Sequence, residues 1–156
     1  MIKILFVCTG NTCRSPMAAA IMEKIAIDND LDVLIESAGI FAEVGGRASE
    51  NAVKALDEMG IDLTFHQTKP ITEELIEKSD IILTMTEGQK ELLKPVAGND
   101  VYTLKEYGGG HGDISDPYGG DTDEYRETAK EIYDALVDVA ERIADIQNGN
   151  SENNKS

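Results

Sequence analysis

The chain has 156 residues, 41% of them hydrophobic, enough for one domain with a sizeable core and too few for two ordinary ones. A formal charge of -16 repels nucleic acid and anionic membrane, and no apolar run approaches the roughly 18 residues a membrane span needs. Cys8 and Cys13 are the only cysteines, too few for a disulfide scaffold or a cysteine-rich metal site, and the amino terminus does not resemble a signal peptide. The expectation is a cytoplasmic protein acting as a monomer, with no nucleic-acid or membrane partner.

Ile4, Leu5, Phe6 and Val7 form a continuous apolar run of β-formers, the pattern of a strand covered on both faces in a parallel sheet. Cys8 therefore stands at its carboxyl end. Ser15 and Pro16 read as a helix start, serine as N-cap and proline at the first helical position, with the helix reaching about Ile27. Between strand and helix, Cys8 to Arg14 spells C-x5-R. A loop this short can turn successive backbone N–H groups toward one centre, and the positive end of a helix dipole behind it completes an anion site.

The residue types specify the anion and its fate. Arg14 offers two parallel N–H donors to two phosphoryl oxygens, a geometry lysine lacks. Cys8, ringed by amide dipoles and a guanidinium, is in a setting that favours the thiolate. The Ser15 hydroxyl is placed to hydrogen-bond that thiolate and stabilise it as a leaving group. Gly10 is expected to take a positive φ, and Asn11 to tolerate the left-handed region while its amide ties down backbone groups. Thr9, Gly10, Asn11, Thr12 and Cys13 make up the phosphate-binding loop. Neither G-x-x-x-x-G-K-[ST] nor G-x-G-x-x-G follows the strand, which disfavours nucleotide binding.

Further along, Asp32 to Ser37 reads as a second strand and Ala38 to Gly46 as a glycine-bearing loop that carries Phe41. Ser49 caps a helix to about Met59, with Gly60 past its end. The irregular stretch Ile61 to Lys69 holds His66, read as a surface or packing residue. Thr72 to Lys78 is a short helix, Asp80 to Met85 a third buried strand, Glu87 to Leu93 a helix, and Val101 to Leu104 a fourth strand. Strands alternating with helices across short links argue an α/β domain, an open parallel sheet with helices on both faces. In such sheets the ligand lies beyond the carboxyl ends of the strands, where Cys8 stands.

Lys105 to Gly120 reads as a long glycine-rich loop, and such loops in compact domains are usually functional. It carries His111, Asp113 and Asp116, the last restricted to extended backbone by Pro117. From Asp121 or Thr122 a helix runs to about Ile146, with Ala129, Ile132, Tyr133, Leu136, Val139, Ala140 and Ile143 at helical spacing. Residues 1–146 form the domain, and the polar remainder, 147–156, is expected to be disordered.

Cys8 to Pro16 (CTGNTCRSP), together with Asp116-Pro117-Tyr118, resembles the signature of the low-molecular-weight protein tyrosine phosphatase family, over nearly the whole chain. Tyrosine-specific members usually carry a bulkier aliphatic residue where Thr12 stands. With Ser37 to Ala42 (SAGIFA) and Leu104 to Gly120 (LKEYGGGHGDISDPYGG), the chain is most similar to the bacterial protein arginine phosphatases. The resemblance implies a strand order of 2-1-3-4, Asp116 as general acid, and Phe41 and Tyr118 as opposite walls of a substrate slot. It also implies phosphorylated proteins as partners, in opposition to a protein arginine kinase in the stress response.

Cys8, Arg14, Asp116 and Ser15 are thus the expected catalytic group for two-step phosphoryl transfer. Arg14 and the loop amides supply the charge a metal would bring, so no metal or other cofactor is expected. The Thr12 hydroxyl could accept from the guanidinium of phosphoarginine or orient the attacking water. Phosphotyrosine remains the alternative substrate. Arsenate reduction on the same fold needs further cysteines, which are absent. A reading of another class, a redox-sensing phosphate-binding module, has Cys8 and Cys13 form a reversible disulfide, since a neighbouring thiol can trap a sulfenic acid.

Overall fold

The computed structural model describes residues 1–155, without the side chains of residue 99 and residues 150–155. The elements in chain order are β1 (Ile2–Cys8), α1 (Arg14–Asp28), β2 (Val33–Gly39), α2 (Glu50–Asp57), α3 (Glu73–Lys78), β3 (Ile81–Thr84), α4 (Glu87–Ala97), β4 (Val101–Thr103), α5 (Leu104–Tyr107) and α6 (Thr122–Lys155). All strand pairs are parallel and the order is β2-β1-β3-β4, as expected. No helix among the described residues is long and apolar enough to cross a membrane.

The period-two alternation of β1 splits the core in two. Ile4, Phe6 and Cys8 face a cluster built with Met17, Ile21 and Met22 of α1, Leu56 of α2, and Ile132, Leu136, Val139 and Ile143 of α6. Leu5 and Val7 face a smaller cluster with Ile82, Leu93 and Val101, under α3 and α4. Burial of each large side chain of β1 contributes about 1.5–3 kcal/mol. The strand that delivers Cys8 is therefore held from both faces, and Cys8 pairs laterally with Gly39 of β2.

Several boundaries differ from expectation. Helix α1 begins at Arg14, with Cys13 as an N-cap that makes no side-chain cap bond. Ser15 is thus not the cap: its hydroxyl is engaged by Cys8 instead. Pro16 still costs no backbone bond, because the helical ladder starts only with the Met17 N–H to the Cys13 carbonyl, 3.1 Å. Helix α4 continues past Leu93 through Pro95 to Ala97. The glycine-rich loop opens with the four-residue helix α5, whose Glu106 N–H is accepted by the Thr103 hydroxyl. Helix α6 runs beyond Ile146, where the Gln147 amide bonds the backbone N–H and carbonyl of Asp32. The segment 147–156 expected as a tail thus begins within α6, and Ser156 lies outside the described residues.

Candidate active site

Between β1 and α1 the chain turns its carbonyls outward. The Cys8 oxygen accepts from the Ile40 N–H (3.0 Å), Thr9 from Phe41 (2.9 Å), Thr12 from Ser49 (2.8 Å) and Asn11 from His66 Nε2 (2.8 Å). A peptide whose oxygen points outward presents its N–H on the other side. Among the described residues the backbone N–H groups of Gly10, Thr12 and Cys13 have no acceptor, while that of Asn11 points at Cys8 Sγ, 3.3 Å away. Inward donors above a thiol, backed by the first turn of α1, make a cradle for a phosphoryl group.

The reversal is made at Asn11, whose φ is 56°. Gly10, expected to supply the positive φ, is not in that region. Asn11 is fully buried, and its side-chain amide uses both hydrogens, donating to Ser15 Oγ (2.8 Å) and Ser37 Oγ (3.0 Å). Its oxygen accepts from the Lys69 N–H at 3.1 Å. Because the Ser15 oxygen accepts from Asn11, its own proton is free for Cys8 Sγ, 2.8 Å away. The cost of a left-handed non-glycine residue, about 1–2 kcal/mol, is offset by bonds of about 1 kcal/mol each.

Arg14 is buried, with Nη1 donating to the Ile114 carbonyl at 2.9 Å and Nη2 lying 3.6 Å from the Asp116 carboxylate. Asp116 is more than half exposed, so this pair contributes little to stability; its worth is in placing a carboxyl over the cradle. The Tyr118 N–H bonds Asp116 Oδ1 at 3.0 Å and sets its direction. Cys8, Thr9, Gly10, Thr12, Cys13, Arg14, Asp116 and Tyr118 line one cleft of about 310 Å³. Phe41 does not join that lining: the residue is 76% exposed, and its backbone N–H bonds the Thr9 carbonyl of the loop.

A family model described as low molecular weight phosphotyrosine protein phosphatase matches residues 3–148. The chain belongs to that family. It is 46% identical over 144 residues to the protein-arginine-phosphatase of Bacillus subtilis (strain 168), covering 90% of this chain and 95% of the relative. It is 40% identical over 146 residues to PtpB, a low molecular weight protein-tyrosine-phosphatase of Staphylococcus aureus, covering 92% and 98%. A solved YwlE arginine phosphatase, a cysteine-to-serine mutant with a phosphorylated active-site serine, matches with a TM-score of 0.88 at 44% identity, over 92% of this chain and 96% of that one.

In this phosphatase, several residues that sequence patterns did not single out support the loop. Gly39 has no room for a side chain: a Cβ there would lie 2.7 to 2.9 Å from Ala42 Cβ, the Thr9 carbonyl and the Asn11 nitrogen. Its place in the SAGIFA segment was the available signal. Gln89 Nε2 donates to Thr9 Oγ1 at 3.2 Å. The Tyr125 hydroxyl lies 3.2 Å from Cys13 Sγ, and burial holds that phenol above its ordinary pKa. His66 is half-buried, and desolvation more than the Lys69 charge lowers its pKa, so the neutral ring donates to Asn11 near pH 7. Gln89, Tyr125 and His66 come from distant segments and leave no local pattern.

Asn11→Ala removes three bonds and places alanine at a left-handed φ. We expect a loss of about 2–4 kcal/mol in urea unfolding and a clear fall in p-nitrophenyl phosphate turnover. Asn11→Gly relieves the backbone but not the amide; if it restored full activity, the amide bonds would be irrelevant.

Proposed function

We propose that this phosphatase removes phosphoryl groups from arginine side chains of proteins through a phosphocysteine intermediate formed on Cys8. The observation that carries the chemistry is the Cys8 sulfur, 2.8 Å from a hydroxyl whose proton is free for it and 3.3 Å from a backbone N–H, within one cleft with Arg14 and Asp116. The phosphorylated serine in the YwlE mutant supports a covalent phosphoenzyme.

In the first step the Cys8 thiolate attacks phosphorus in line. Arg14 and the inward N–H groups of the loop hold the equatorial oxygens, already oriented for the transition state. The P–N bond breaks as protonated Asp116 gives its proton to the departing guanidine nitrogen. In the second step the Asp116 carboxylate takes a proton from water, the water oxygen attacks phosphorus, and the S–P bond breaks. Ser15 and the Asn11 N–H stabilise the returning thiolate. No step uses a cofactor; Arg14 and the amides supply the positive charge.

Preference for phosphoarginine rests on Thr12 in the cleft lining and on the likeness to the Bacillus subtilis arginine phosphatase. A planar, polar guanidinium suits a hydroxyl-bearing neighbour, whereas a phenyl ester gains from an aliphatic one. The 40% identity to PtpB favours phosphotyrosine as the second reading. Phe41, on the loop bonded to Thr9, and Tyr118 flank the entering side chain in this proposal, the role of Phe41 needing a substrate that reaches beyond the cleft. We place the enzyme in the cytoplasm, as a monomer acting on phosphorylated proteins in the stress response.

Cys8 and Cys13 are both free thiols, and Cys13 is buried beside Tyr125 and Ser49. Oxidation of Cys8 by peroxide, which is reduced to water, gives a sulfenic acid, and its condensation with the Cys13 thiol, releasing a second water, gives a disulfide that added thiol reduces.

Cys8→Ser is expected to abolish turnover while inorganic phosphate still binds by calorimetry; near-normal turnover would refute nucleophilic catalysis. Wild type should cleave phosphoarginine peptides in preference to phosphotyrosine peptides, and Thr12→Ile should shift the ratio of kcat/KM toward phosphotyrosine. A wild-type preference for phosphotyrosine ends the arginine assignment. After peroxide, Cys13→Ser should regain less activity with dithiothreitol than wild type; equal recovery removes the protective role.

A further inference from the structure

Three consecutive residues ahead of Asp116 are each tied to a different part of the fold. Asp113 Oδ1 accepts from the Glu87 N–H, at the start of α4, at 2.8 Å. Ile114, fully buried, donates its N–H to the Met85 carbonyl (2.8 Å) and accepts from Arg14 Nη1 (2.9 Å). The Ser115 N–H faces both oxygens of Glu131 on α6, at 3.4 and 3.5 Å, and Glu131 is itself held by Lys105 at 2.8 Å. Of the three side chains, that of Ile114 is buried in the main core, and that of Asp113 anchors the loop by a hydrogen bond.

The end of α4 that Asp113 grips already has local caps. Thr86 Oγ1 accepts from the Gln89 N–H (3.1 Å) and Gln89 Oε1 from the Thr86 N–H (3.1 Å), a complete capping box. The box leaves the Glu87 N–H over, and a carboxylate arriving from 26 residues away takes it, at the positive end of the helix. The same Gln89 reaches the other way, to the Thr9 hydroxyl of the phosphate loop. One helix terminus is thus bonded both to the loop that carries the nucleophile and to the loop that carries the acid.

We propose that Asp113 is a positioning residue for the proton donor: through the Glu87 N–H it registers the Asp116 loop against the phosphate loop, so that Asp116 meets the leaving group. The proposal rests on the reading of Asp116 as general acid. Misplacement of about 1 Å at a reacting centre costs on the order of 100-fold, so an exposed hydrogen bond of modest energy can have a large kinetic effect. The effect should fall on reactions that need the proton and spare those that do not.

The test uses kcat/KM, which reports the phosphoryl-transfer half, on two aryl phosphates: phenyl phosphate, whose phenolate leaves poorly without a proton, and p-nitrophenyl phosphate, whose leaving group needs little help. Asp113→Ala is expected to lose about tenfold or more on phenyl phosphate and less than about threefold on p-nitrophenyl phosphate, within the 10²–10⁴ that an acid supplies. Asp113→Asn, whose side-chain oxygen still accepts from Glu87, should recover most of the loss. In an Asp116→Asn background Asp113→Ala should cost nothing further on phenyl phosphate, the non-additivity of residues acting as a unit. Equal losses on both substrates, or additive losses with Asp116→Asn, would mean a merely structural cap and overturn the proposal, as would an Asp113→Ala enzyme as fast as wild type while Asp116→Asn is slow. If Asp116→Asn itself is as fast as wild type on phenyl phosphate, the acid assignment fails and takes this proposal with it.

Discussion

The structure turns on one buried reversal of the backbone, at Asn11. A seven-residue loop can aim its N–H groups at a common centre only if its carbonyls are aimed elsewhere and accepted there. Asn11 makes the turn at a φ of 56°, and its amide locks the loop to Ser15, Ser37 and Lys69. The outward carbonyls are then taken by Ile40, Phe41, Ser49 and His66, so the segment after β2, the start of α2 and the stretch before β3 all hold the loop in place. The same amide orders the Ser15 hydroxyl toward Cys8, joining the shape of the loop to the state of its sulfur.

This local order explains how a chain with a formal charge of -16 accommodates a phosphoryl group. Repulsion from exposed carboxylates is screened beyond a Debye length of about 8 Å at physiological salt, whereas the donors of the cradle act at contact. Arg14 is buried and fixed by the Ile114 carbonyl, so it needs no reorganisation when the oxygens arrive. Asp116 sets its carboxylate 3.6 Å from Arg14 Nη2, in the lining of the same cleft.

The parts of the site that were legible are those with local signatures. An apolar run ending at Cys8 and a C-x5-R spacing mark an anion site between β1 and α1 without coordinates, and the resemblance to the family adds Asp116 as the expected acid. The helix start was misread at Ser15 because serine before proline carries the same signature whether its hydroxyl caps the backbone or, as here, serves Cys8. Gly10 was assigned the positive φ on the general permissiveness of glycine, while the turn fell on the neighbour whose side chain could stabilise it.

The sequence by itself determined which chemistry is available, because reactivity belongs to residue types and to spacings short enough for one turn of chain to join. It also determined the parallel α/β architecture, because periodicity and capping act within a few residues. Only the tertiary structure decided how the reacting groups are held: Gly39 under the loop, Gln89 at Thr9, Tyr125 at Cys13, His66 at Asn11 and Asp113 at α4. Each of these contacts joins segments distant in sequence, and their closeness is set by the packing of helices on the sheet, which no short stretch of the chain encodes.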